Sequence, residues 1–536
     1  MAEFGLLNWS IVIALFTVFL TMGYVISRKV KTAEDFYKGH SAIPWWVIGI
    51  SVVAAYVSAM TFLGAPAWAY KDGLSVIVIH LNYPIVIFFV VSFFLPFFYN
   101  SGVVSIYDYL ERRFGAASRG VISGVFLLTQ SLSSAAVLYG TSLVISFITH
   151  IDVIPCIFIV TLMALIYTIM GGIAAVIWIE LVQAIIFVFG ACVIMYTLLT
   201  KMPLPLGQTL TELKAMGKLN PVKWLLDFKD TTSIWSGVIA MTLYHVTVCG
   251  ANQMMVQRTL TAKNIGDAKK SFLIIGFAGF FIYFLFISLG VLFYHYYGGK
   301  TFENTNMIIL QFASDYGLPG LMGIVAAAVL SASMSSLASA YNALSTITLV
   351  DFYQKYFNKN ETPQYYLKSS RIFTAIWATL IIIPAIGYST LQNTSILELL
   401  TKIGSFFVGA KLSMYGLGFF SKHTTEKGLL VGVLVGMLSV WIVAMTTSIA
   451  WPWYCLIGAA VNVGISIPLS ILLTGYQKEW SEYSIPGQKK MFKEKEMAEK
   501  EGGWYLVPGK IDKQLYALLV FFALTLVFLI TLQYWF

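Results

Sequence analysis

Ser51–Tyr70 reads SVVAAYVSAMTFLGAPAWAY: an apolar run long enough to enter a bilayer, yet crowded with small and hydroxyl residues and carrying Gly64 and Pro66. Such a run predicts a helix that is interrupted inside the membrane. Backbone freed at that depth is tolerated only where it lines a site. A second stretch, Tyr244–Gln253, reads YHVTVCGANQ and brings Gly250, Asn252 and Gln253 into another apolar run. Taken singly, each stretch reads equally well as a surface of small residues for close helix packing. Their placement, five apolar runs apart, fits two inverted repeats that each open with a broken helix.

The surrounding composition sets the class. Hydrophobic residues make up 58% of 536 and charged residues 11%, with a mean hydropathy of +0.79, more apolar surface than soluble cores of this length can bury. About fourteen runs of membrane-spanning length can be drawn, which makes the chain an all-α polytopic protein of the cell (inner or plasma) membrane. The first run, 7–27, lacks the basic flank of a cleavable leader. The net charge of +9 comes mostly from short segments between runs, as the positive-inside rule expects, so nucleic-acid binding is not indicated. With that rule both termini lie outside and the basic segment from Gln477 to Lys510 lies in the cytoplasm, where it reads as a solvated amphipathic linker or, less readily, a headgroup contact. Cys156, Cys192, Cys249 and Cys455 fall inside apolar runs without metal-ligand spacing, and they read as small fillers. No nucleophile-and-base constellation or nucleotide loop suggests an enzyme.

Ser331–Ser339, SASMSSLAS, sets five serines inside one apolar run. Hydroxyls at that depth need partners, which a small hard cation would supply and which neighbouring helices would supply equally well.

Four further stretches, Gly171–Gln183 (GGIAAVIWIELVQ), Asn252–Leu260 (NQMMVQRTL), Ser335–Tyr353 (SSLASAYNALSTITLVDFY) and Phe419–Gly428 (FFSKHTTEKG), resemble the sodium/solute symporter family, whose members include sodium/glucose cotransporters and bacterial sodium/galactose and sodium/sialic acid symporters. The resemblance implies a five-plus-five inverted-repeat core of the leucine-transporter type. It divides the chain into a first span and loop (1–43), a first repeat with core spans 1–5 and an external loop (44–232), and a second repeat with core spans 6–10 (233–420). Two added spans (421–475), a cytoplasmic linker (476–511) and a last span (512–536) follow.

It further implies one sodium ion between core spans 1 and 8, held by the carbonyls of Ala54, Val57 and Ala332 and the hydroxyls of Ser335 and Ser336. This donor set suits sodium, which a broken helix and hydroxyls coordinate without formal charge. A second ion, held by some members, is in doubt. Ala338 replaces one hydroxyl while Ser339 remains, and Glu180 stands where the family usually has W-T-D. Glu180 and Ser339 then mark an ion path, or Glu180 snorkels to the interface.

The solute is less determined. Where sugar-carrying members have Glu, Lys, an aromatic gate and Gln, this chain has His80, Gly279, Val248 and Thr401; where sialate carriers have an arginine, it has Ser133. A distinct polar set remains for the solute: Tyr56, Ser58, Thr61, His80 and His245, with Thr401, Lys402 and Lys411 from core span 10. Glu398 and Lys402, four apart, either pair along one face or mark a pathway. Lys411 reads as a ligand for an anion or a fixed charge at a former cation position, and the two histidines as solute contacts or helix-helix donors. The terminal run 511–536 resembles the extra span of sugar carriers. The expected activity is sodium-coupled symport of a small polar solute, a sugar first, with an organic anion (sialic acid or a monocarboxylate) or a non-accumulating sensor or channel as alternatives.

Overall fold

The computed structural model describes residues 4–28, 30–38, 43–101, 103, 105–302, 304–316, 319–390 and 396–535; the side chains of residues 59 and 396–403 lie outside the description. Glu398, Thr401 and Lys402 therefore lie outside the described side chains.

The described chain is almost entirely helical, and ten helices are long and apolar enough to cross a membrane. The run expected to be core span 1 is the pair α2 (Trp45–Tyr56) and α3 (Ala59–Asp72), which follows α1 (Leu6–Ser27). The expected interruption falls at Val57 and Ser58, both extended, with ψ of 119° and 177°. Its chemistry is local. Ser58 Oγ accepts from Met60 N at 3.2 Å, and Ser58 N donates to Thr61 Oγ1 at 3.4 Å, a reciprocal cap that restarts the helix. The corresponding break separates α9 (Met241–Gly250) from α10 (Gln253–Thr259), as preceding elements α4 (Tyr83–Phe89), α5 (Leu95–Ser101), α6 (Asp108–Arg113), α7 (Ala116–Thr149) and α8 (Val153–Lys201) intervene. There Asn252 is extended and its side chain accepts from Met254 N at 2.9 Å. Each broken span thus carries its own N-cap residue, Ser or Asn, at the restart.

α8 covers two expected runs. They meet at Gly172, whose φ of +57° and ψ of −150° suit glycine alone, and a Cβ there would lie 2.3 Å from the Phe36 carbonyl oxygen. α11 (Ile265–Tyr296) follows, and then α12 (Leu321–Ile347), the centre of the molecule. Its Ala and Ser residues let α1, α2, α7, α8 and α13 (Pro363–Ser389) approach from several sides, so it is buried around nearly its whole circumference. α14 (Ile396–Phe420), α15 (Glu426–Thr446) and α16 (Tyr454–Thr474) pack as a group on the flank of α7 and α9.

The basic linker is not a solvated tether. α17 (Ile485–Glu494) and a two-residue hairpin, β1 (Lys500–Glu501) and β2 (Trp504–Tyr505), form a strap that buries Ile485, Phe492, Trp504 and Val507 while most of its lysines stay exposed. Lys269 of α11 and Asp512 form a buried ion pair at 2.6 Å, and Lys269 also donates to the Tyr505 carbonyl at 2.7 Å. Gly509 N donates to the Ser92 carbonyl and Asn100 Nδ2 to the Leu506 carbonyl, both at 2.8 Å. The strap leads into the last helix, α18 (Tyr516–Trp535).

Candidate ion and solute site

The two expected sodium-binding elements meet. Ser335 Oγ on α12 lies 3.0 Å from the carbonyl oxygen of Ala54, on the last turn of α2 before the break. Ser336 Oγ donates to the Ala332 carbonyl at 3.2 Å, and Val57 is buried at the break itself. Ser335 and Ala54 thus bring two uncharged oxygens together where the backbone of α2 stops following a helix, while the Ser336 hydroxyl is engaged within α12.

Glu180 does not snorkel. It is 1% exposed in the second half of α8 and pairs with Arg258 of α10, also 1% exposed, through Nη2–Oε1 at 2.9 Å and Nε–Oε2 at 3.1 Å. Ser51 and Ser339 donate to its two oxygens, Ser335 lies 3.3 Å from Oε1, and Arg258 Nε lies 3.0 Å from Ser51 Oγ. Ser335 therefore belongs to both clusters. By position Arg258 looks like one more basic residue after an apolar run; the structure instead returns it to the interior. An isolated ion pair at that depth is poorly compensated, and here serine hydroxyls occupy the remaining lone pairs.

On the other side of the α2 break lies a set of rings. His80 closes a short 3-10 segment, Gly73–His80; its ring stacks on Tyr283 of α11 with centroids 3.4 Å apart and planes at 8°, and its Nδ1 is 3.0 Å from Tyr83 Oη. His245 of α9 stacks on Tyr83 at 4.9 Å, and the two histidine rings are 5.9 Å apart. Tyr56, the last residue of α2, meets Tyr83 and His245 edge-on at 5.6 and 5.8 Å. Thr61 Oγ1 is 3.4 Å from Tyr283 Oη. Asn82 fixes one proton: its Nδ2 donates to the Gly237 carbonyl at 2.7 Å, so its Oδ1, 2.8 Å from His245 Nδ1, accepts, and His245 carries hydrogen on Nδ1.

Tyr56, Thr61, His80 and His245 are thus brought together as expected. Tyr56, Ser58 and His80 remain partly exposed among buried neighbours. Ser58 and Thr61 also form the cap of α3, which gives both a structural duty besides any contact with solute. Asn82, Tyr83 and Tyr283 are new members; the polar cluster H-L-N-Y at 80–83 was the sequence signal for the first two. Lys411 stands apart, on α14 against Phe126.

Residues 36–436 match the family described as the sodium:solute symporter family. The chain belongs to that family. It is a multi-pass membrane protein that couples transport to sodium, and it is not an enzyme. Among solved structures, this symporter superposes with a TM-score of 0.82 on a substrate-bound, outward-open sodium-coupled sialic acid symporter, with 25% identity over 88% of this chain and 98% of the other. Among characterised relatives it is 25% identical to the sodium/sialic acid symporter of Proteus mirabilis over 85% of this chain and 93% of that protein. It is 26% identical to the sodium/glucose cotransporter of Vibrio parahaemolyticus over 78% and 82%. Identities that close do not choose between an acid and a neutral sugar; the residues facing the solute must.

Proposed function

We propose that this symporter imports an organic acid of the sialic acid type rather than a neutral sugar, taking one sodium ion per cycle across the lipid bilayer. The observation that carries this reading is the position of Gly279, where sugar-carrying members place a lysine. A Cβ there would come within 2.7 Å of the Tyr83 ring, so the space for that lysine is filled. The partner glutamate is His80, stacked on Tyr283. The groups proposed to meet the solute, Tyr56, Ser58, Thr61, His80, Tyr83, His245 and Tyr283, are neutral hydroxyl, imidazole and phenol groups, which offer donors to a carboxylate and no carboxylate to repel it. The extra terminal helix, which resembles that of sugar carriers, packs on the outside of α4 and α11 through residues such as Leu518 against Gly276, and topology of this kind has little weight against the reading.

In this reading Ala54, Val57, Ala332, Ser335 and Ser336 hold the ion, Glu180 and Ser339 mark its path inward, and about fourteen traversals divide into the two repeats and appended spans set out above. The ion and solute groups share the last turn of α2: Ala54 and Val57 face the ion while Tyr56 reaches the ring cluster. Sodium ordering that turn against α12 sets Tyr56 for the solute, and linkage requires that solute raise sodium affinity by the same factor. Inward opening releases both.

Uptake into proteoliposomes under an inward sodium gradient tests the solute, screening sialic acid, lactate and neutral hexoses. Sodium-dependent accumulation of an acid, competed by acids and not by hexoses, is expected. Accumulation of a hexose alone would overturn the reading.

A further inference from the structure

Lys411 is a cation in the interior, 8% exposed, with no hydrogen bond or ion pair among the described residues. Its Nζ lies 5.6 Å from the centroid of the Phe126 ring on α7. One ring face does not satisfy an ammonium with three donors, and burying an unpaired charge is costly. A second buried polar side chain packs on the same ring. Tyr107 packs on Phe126 with centroids 5.6 Å apart, and its buried hydroxyl makes no full hydrogen bond among the described residues.

Their position gives the pair meaning. One turn along α14 from Lys411, Tyr415 Oη donates to the Ile106 carbonyl at 3.0 Å, and Ile106 N donates to Gln253 Oε1 of α10 at 3.0 Å. The peptide units beside Tyr107 are therefore clasped between α14 and the second half of broken core span 6. The nearby carboxylate, Asp351, is taken up by Arg119 at 2.6 Å, Ser105 at 2.9 Å and Ser123, so it is not available to Lys411. The clasp thus lies beside Lys411 and Tyr107, whose polar ends make no full hydrogen bond among the described residues. Ser133, where sialate carriers have an arginine, is seven residues along α7 from Phe126, about 10 Å toward the opposite face of the membrane.

We propose that Lys411 and Tyr107 form an anion subsite behind the inner clasp, which receives a monoanionic group as the clasp opens. That group is the carboxylate of the carried solute, an assignment that rests on the organic-acid reading above, or a chloride that accompanies it. The subsite serves release on the inner side and leaves capture on the outer side to the ring cluster.

The test measures half-saturation from each side of proteoliposomes: external, by uptake, and internal, by counterflow, with labelled sialic acid or with lactate if that is the acid accepted. Lys411→Met is expected to raise the internal value about tenfold or more, the loss of one charge-assisted contact, and to leave the external value within about threefold. Lys411→Arg restores the internal value, and Tyr107→Phe shifts it in the same direction by less. Replacing chloride by methanesulfonate on both sides leaves the wild type unchanged if the solute's carboxylate is the occupant, and slows it, without affecting Lys411→Met, if chloride is. An unchanged internal value in Lys411→Met, or equal shifts on both sides that Arg does not repair, would overturn the subsite while the organic-acid reading stands. A wild type that carries only hexoses would overturn that reading and the carboxylate source together.

Discussion

Ser335 is the residue on which the proposed ion site turns, because it reaches both the Ala54 carbonyl and Glu180. Ser335→Ala removes one of few oxygens around a small cation and is expected to raise the sodium concentration for half-maximal uptake about tenfold or more, while folded yield is kept; sodium titration of uptake checks it. Glu180 behaves differently. Glu180→Gln leaves the Arg258 guanidinium buried and unpaired, and should cost about 3–5 kcal/mol of stability, read as a lowered unfolding temperature in detergent. Glu180→Gln combined with Arg258→Met should recover much of that loss, since removing both charges spares the desolvation penalty. The serines and Glu180 were visible in the sequence, as hydroxyls and a carboxylate inside apolar runs with no other duty. Arg258 was not, because a basic residue at the end of such a run looks the same whether it turns outward or back into the protein.

At the scale of elements, the two broken helices were legible as apolar runs crowded with small and polar residues, but not their exact joints: Gly64 and Pro66 lie inside α3, and the break falls at Val57 and Ser58, where Ser58, like Asn252 in the other span, caps the restarted helix. Ser58→Ala and Asn252→Ala should each cost about 1 kcal/mol, seen in thermal unfolding. The strap was misjudged because its sequence is rich in lysine and glutamate, and the contacts that hold it are long-range ones made by a handful of residues. Lys269 and Asp512 lie 243 positions apart, and no local pattern pairs them. Asp512→Ala strands the Lys269 ammonium and frees the hairpin. Limited proteolysis should then cut between residues 495 and 510 several times faster than in the wild type; equal rates would mean that the strap is held by its apolar residues alone.

Over the whole molecule, the proposed coupling rests on one turn of α2, where Ala54 meets Ser335 and Tyr56, two residues on, meets the ring cluster. The ring cluster on the solute side was only half legible. Tyr56, Thr61, His80 and His245 could be picked out as polar groups in apolar runs, but Tyr83 and Tyr283 are common membrane aromatics until stacking with His80 and His245 gives them a place. An organic monoanion moving with one sodium carries no net charge, which separates this account from a neutral-sugar cycle that must generate current. The most direct measurement is to count sodium and sialic acid entering the same proteoliposomes, in the wild type and in a Ser335→Ala/Ser336→Ala variant, while recording current. The account predicts entry one for one without current, and both fluxes falling together in the variant. Solute entry in the variant with unchanged sodium dependence, or sodium entering the wild type without solute, would contradict it.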